Sequence, residues 1–119
     1  MKKRMMILLL LIAVPLATIA GTPPFQGCQR LACVGKIDRI YLHPEGNIKI
    51  TPPIGANGSD TSVLGCSLSE GVYATIKRSH PHFTEMYSML LAAHMSGKDV
   101  YVRILENSPD CEVWYTSIY

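Results

Sequence analysis

Apolar residues along this chain follow three different spacings. Met5 to Val14 run without a charged or polar side chain, directly behind Lys2, Lys3 and Arg4. Further on, short stretches alternate with period two, the signature of half-buried strands. Ile48 and Ile50 share a face within Asn47–Thr51. Over Gly71–Lys77, Val72, Ala74 and Ile76 alternate with Tyr73, Thr75 and Lys77. Over Asp99–Leu105, Val100, Val102 and Ile104 alternate with Tyr101, Arg103 and Leu105. Over Cys111–Tyr119, Glu112, Trp114, Thr116 and Ile118 alternate with Val113, Tyr115, Ser117 and Tyr119. Leu31–Leu42 also reads as a strand through Ile37, Ile40, Tyr41 and Leu42, and its imperfect alternation predicts a bulge.

The third spacing is helical. Phe83, Met86, Tyr87, Leu90, Leu91, His94 and Met95 recur at intervals of three and four. His80-Pro81 opens this helix, because proline is pre-set for a first helical turn. Glu85 suits the positive end of the helix dipole, and Gly97 supplies a C-terminal cap before Lys98. The stripe is wide enough to cover one mouth or face of a sheet. Between these elements, His43–Asn47 and Asn107–Asp110 are turns. Pro52–Glu70 is a long break rich in Pro, Gly, Asn and Ser, either a functional loop or a surface excursion pinned by Cys66. Gly21–Gln29 reads as an irregular tail tied down near Cys28 and Cys33.

The basic start, the apolar run and the small residues before Gly21 form the pattern of a cleaved export signal over 1–20, with the cut after Ala20 and a second choice after Ala17. The apolar run is too short to span a bilayer, which needs about twenty residues. Removing the signal changes the charge. The chain has 11 Lys and Arg against 9 Asp and Glu; taking away Lys2, Lys3 and Arg4 leaves 8 against 9, a net of −1 for 21–119. Nucleic-acid binding is disfavoured on that balance. Residues 21–119 are enough for one domain with a thin core. Cys28, Cys33, Cys66 and Cys111 all lie beyond the cut, an even count on an exported chain, which reads as two disulfides in a periplasmic or secreted protein.

The element order is strand, strand, strand, helix, strand, strand. It implies a mainly β domain with one helix: a five-stranded, OB-fold-like Greek-key barrel. In such a barrel the third and fifth strands run side by side in one direction, bringing Cys66 and Cys111 to the same end and leaving Cys28 to Cys33. The other two pairings stay open at this stage. The segment from Glu85 through His94, Met95, Gly97 and Lys98 to Val100 resembles the helix-to-strand segment of small exported OB-fold proteins of Gram-negative bacteria. Those proteins are similar to the receptor-binding B subunits of pentamer-forming bacterial toxins. The resemblance implies a secreted, ring-forming glycan binder, and it assigns no sugar-contacting residue to a position of this chain.

The chemistry-bearing residues point away from an enzyme. His80 and His82 flank Pro81 but lack a third ligand at a metal-binding spacing, and the four cysteines lack the close pairs of a zinc ribbon. Asp38, Glu45, Asp60 and Glu70 stand singly, with no carboxylate pair for glycoside hydrolysis. No cofactor motif is present. The most suggestive set is aromatic. Tyr41, Tyr73, Tyr101 and Trp114 are the expected ligand-contacting residues, because rings with polar edges stack on sugars and anchor interfaces. The expected function is a non-enzymatic subunit that binds a glycan or protein receptor as a homo-oligomer. A periplasmic inhibitor of a protein partner is the alternative, and a small hydrolase the remote third.

Overall fold

The computed structural model describes residues 21–119 and Ala13. The export signal expected over 1–20 therefore lies outside the described residues, Ala13 apart. The chain forms seven short strands: β1 (Gly27–Cys28), β2 (Ala32–Gly35), β3 (Ile40–Leu42), β4 (Ile48–Ile50), β5 (Ala74–Ile76), β6 (Val100–Ile104) and β7 (Val113–Ile118). One α-helix, α1 (Phe83–Ser96), stands between β5 and β6, and a single 3-10 turn covers Thr61–Val63. The strands make two antiparallel sheets, β1-β2-β6-β7 and β3-β4-β5. A mainly β domain with one helix is thus the architecture.

The stretch expected as one strand, Leu31–Leu42, is divided between the two sheets. β2 pairs with β6 and β3 pairs with β4, with Lys36–Arg39 turning the corner. The break has local causes. Gly35 sits so close to the Ile54 carbonyl that a Cβ would come within 2.0 Å of it, and Lys36 and Ile54 exchange backbone hydrogen bonds. The Thr51 hydroxyl then accepts from the amides of Asp38 and Arg39. The two sheets meet again at a parallel bridge, Thr75 to Glu112, where the Thr75 amide donates to the Cys111 carbonyl at 3.0 Å.

The core lies between the sheets and the helix. Ile48, Ile50 and Ile76 from one sheet, Val100, Val102 and Val113 from the other, and Leu90 from α1 are all essentially removed from water. Each such side chain contributes about 1.5–3 kcal/mol of transfer free energy. The helix buries Met86, Leu90 and Ala93, with Phe83 and Tyr87 packed at the margin. Its apolar stripe is narrower than the sequence pattern implies, since Met95 is 79 % exposed. The helix also begins after Pro81 rather than at it. The His82 amide donates to His80 Nδ1 and the Phe83 amide to the His80 carbonyl, so residues 80–82 form a turn that delays the first helical residue to Phe83. Gly97 ends the helix in the left-handed region, φ 66°, as a glycine C-cap should.

Two disulfides join the frame. Cys28–Cys33 ties β1 to β2, and Cys66–Cys111 ties the long connection to the entry of β7. That connection is held throughout. The Ser59 hydroxyl bridges the Pro53 carbonyl and the Gly55 amide, and the Asp60 carboxylate caps the 3-10 turn through the Ser62 amide. The Gly65 amide donates to the Arg30 carbonyl, and Leu64 is buried. The two hydrogen bonds from Ser62 hold the Asp60 carboxyl below its ordinary range. Residues Gly27–Cys28, expected to be irregular, pair with Val34 and Cys33 as a short strand.

Candidate functional site

The outer face of the β3-β4-β5 sheet gathers an unusual set of side chains. Tyr41, Lys49 and Thr75 lie in one row across the three strands. Their neighbours Ile48, Ile50, Ala74 and Ile76 point into the core, so strand alternation turns this row to the opposite face of the sheet, where Lys49 and Thr75 are themselves covered and Tyr41 is half-buried. Arg39 and Tyr73, two residues before Tyr41 and Thr75, continue the same face. Tyr41 and Tyr73 meet edge to face with ring centroids 5.1 Å apart. The Arg39 guanidinium lies over both rings, 5.1 Å from the Tyr41 centroid and 5.8 Å from that of Tyr73. Arg39 Nη1 also donates to the Tyr73 hydroxyl at 2.9 Å.

A tight turn completes the patch. Ser69 and Tyr73 exchange backbone hydrogen bonds around Glu70–Val72. Glu70 and Gly71 both occupy the left-handed region, at φ 56° and 72°. For Glu70 that conformation costs about 1–2 kcal/mol, and it brings the carboxylate to the Tyr41 hydroxyl, which donates to Glu70 Oε2 at 3.4 Å. Partial burial first, and the Glu70 charge second, hold the Tyr41 hydroxyl above its ordinary range, so it stays a donor. Lys49 stands opposite Tyr41 on the neighbouring strand. Its ammonium donates to the hydroxyls of Ser69 and Thr75, each at 2.8 Å, and the residue is only 5 % exposed.

Tyr101 and Trp114 belong to a second cluster on the other sheet. Tyr101 and Tyr115 stack at 5.9 Å, Trp114 meets Tyr115 at 5.4 Å, and Phe25 packs edge-on against Tyr101. The Arg103 guanidinium lies 5.8 Å from the Trp114 ring, and its buried Nε has no hydrogen-bond partner. A hydrogen bond with Tyr101 first, then burial, raises the Tyr115 hydroxyl above its ordinary range. The four aromatic residues singled out in the sequence are therefore two pairs, Tyr41 with Tyr73 and Tyr101 with Trp114, on different sheets.

Trp114 also departs from the expected alternation. The β6–β7 register shifts between Arg103 and Ile104, so Val113 faces Ile104 while Tyr115 faces Arg103. Trp114 is the extra residue of this bulge and projects into solvent, 51 % exposed. Arg39, Lys49, Ser69 and Glu70 join the first patch without having been singled out as ligand-contacting residues. Only one signal could have found any of them: Lys49 interrupts two core isoleucines on a short strand.

Other features lead elsewhere. His80 has both ring nitrogens engaged, Nδ1 by the His82 amide and Nε2 by the Trp114 carbonyl at 2.8 Å, so it fastens α1 to β7. His94 Nδ1 lies 2.8 Å from the Ile37 carbonyl. Among the described residues, no group of three His, Cys, Asp or Glu side chains is placed to hold a metal ion. A groove of about 740 Å³ opens beside Ile37, Ile54 and Ala56; of its charged members, Lys36 and Asp99 are paired with each other at 3.0 Å, and Asp38 makes no ion pair among the described residues. Among the described residues, no helix is long and apolar enough to cross a membrane. Comparison of the chain with protein-family models, curated proteins and solved structures finds no match.

Proposed function

We propose that this chain is an exported, non-enzymatic binding protein that takes a saccharide across the outer face of β3-β4-β5. The observation that carries this reading is the Tyr41–Tyr73 pair with Arg39 laid over both rings. Tyr41 is half-buried and offers ring surface to the apolar face of a sugar, while Tyr73, almost covered, holds it upright. Around them stand donors on Arg39 and an acceptor on Glu70, the complement that sugar hydroxyls need. Two disulfides suit an oxidising compartment; the periplasm or the exterior is the address in this reading.

The finer fold in this proposal is OB-like, its five strands represented by β2 with β3, then β4, β5, β6 and β7. Its support is the single run that supplies β2 to one sheet and β3 to the other, the parallel Thr75–Glu112 bridge, and the helix between β5 and β6. Under it, the similarity to toxin B subunits noted in the helix-to-strand segment extends to a ring of copies. A specific feature favours a protein contact as well. Trp114, Tyr115 and Ile118 are all exposed on β7, a strand paired along one side by β6. The occupant proposed for that strand is a second copy of the chain.

A broad glycan array with the oxidised protein tests the saccharide reading. Binding to a defined glycan set, lost in Tyr41→Ala and kept in Tyr101→Phe, is the expected result. No glycan binding by a folded protein would overturn it. Native mass measurement tests self-association, which Trp114→Asp is expected to abolish.

A further inference from the structure

We infer that the saccharide bound at this face carries an anionic group, a carboxylate or a sulfate, that settles against Arg39 and Lys49; this rests on the proposed function above. Arg39 and Lys49 bring two positive charges to one small patch. The ion pairs among the described residues use Arg30, Lys36 and Lys77, so neither patch cation has a carboxylate oxygen within 4.0 Å. Glu70, the acid of the patch, is turned to the Tyr41 hydroxyl instead. The patch keeps a net charge of one positive unit.

Lys49 is the decisive residue. Of the other cations without an ion pair, Arg78 and Lys98 are exposed and solvated by water, and Arg103 is partly exposed with its guanidinium 5.8 Å from the Trp114 ring. Lys49 is buried, and its partners are two neutral hydroxyls. An ammonium has three N–H donors, so one is left over. Burying a charge with neutral partners alone returns only part of its lost hydration. A purely structural residue at this position could be apolar, like Ile48 and Ile50 beside it. An anion resting on the tyrosine edges restores the missing charge. Arg39, exposed and able to form a two-pronged hydrogen bond, is placed to receive it first. Close to low-dielectric ring surface, the attraction of Lys49 reaches the anion with little screening.

The test uses the intact oxidised protein and three immobilised probes on one disaccharide backbone, ending in glucose, glucuronate or 6-sulfoglucose. In about 0.15 M salt the charged probes are expected to bind about tenfold or more tightly than the neutral one, with the difference shrinking as salt rises. The carboxylate and sulfate arms identify which anion the site takes. Lys49→Met and Arg39→Gln are each expected to bring the ratio of charged-probe to neutral-probe affinity close to one, whatever either does to sugar binding as a whole. Should Lys49→Met fail to fold, Arg39→Gln, at an exposed position, carries the test. Equal affinity for charged and neutral probes would overturn the anion assignment and leave the saccharide reading standing. A protein that binds no probe here and no glycan on the array would overturn both.

Discussion

Lys49 donates to Thr75 across the β4–β5 ladder at 2.8 Å, from a strand whose other two residues, Ile48 and Ile50, are core. The ladder positions Lys49 and Thr75 side by side, and Tyr41 on β3 completes the row. A charge in such a place is costly, which makes its removal informative.

Lys49→Met keeps the aliphatic length and deletes the charge. The hydroxyls of Ser69 and Thr75 lose a partner but can rotate toward other acceptors. The expected change is zero to about 2 kcal/mol of added stability, by analogy with buried charges replaced by apolar residues of similar volume. Urea denaturation measures it. A loss beyond about 1 kcal/mol would show that the two hydrogen bonds hold the sheet together and that Lys49 is structural.

The two disulfides should differ in worth. Cys66–Cys111 closes a separation of 45 residues and Cys28–Cys33 one of 5. On the chain-entropy account these are worth about 4 and about 2 kcal/mol. Paired Cys→Ala replacements, compared by denaturant midpoint, are expected to rank in that order. Cys66–Cys111 also sits where Thr75 bonds to the Cys111 carbonyl, so its loss should loosen the junction between the sheets. Equal effects would mean that the junction is held by other contacts.

Acid should weaken one tether in a known direction. The Lys36 hydrogen bond is the main influence that holds the Asp99 carboxyl below its ordinary range. Because the folded-state value is depressed, this contribution is complete above the unfolded value of about 3.9 and is lost as pH falls through the lower folded value. Lys36 also donates to the Gly97 carbonyl at 2.6 Å, so the pair links β2 to the end of α1. Asp99→Asn is expected to cost less than about 1 kcal/mol at pH 7, since the pair is partly exposed. It should also flatten the stability profile below about pH 4. An unchanged acid slope would place the pH dependence elsewhere.

The strand and helix stretches were legible from sequence because period-two and helical patterns dominate from Asn47 onward. What escaped was set by contacts distant in the chain. Leu31–Leu42 looks continuous, yet Gly35 against Ile54 and Thr51 against Arg39 break it into two strands. Period two misassigns β7 because a bulge at Trp114 reverses the alternation midway. The tyrosines drew notice by type alone, whereas their division into two patches depends on which sheet each strand joins. Arg39 and Glu70 carry no local signal. They meet the tyrosines only because Glu70 adopts a left-handed backbone and β3 lies beside β4.

The most direct measurement is an amide chemical-shift map of the isotope-labelled protein, titrated with the saccharide that the array selects. Shifts confined to the surroundings of Arg39, Tyr41, Lys49 and Ser69–Thr75, with Tyr101 and Trp114–Tyr115 unmoved, are the predicted result. Shifts centred on β6 and β7, with β3-β4-β5 silent, would contradict it.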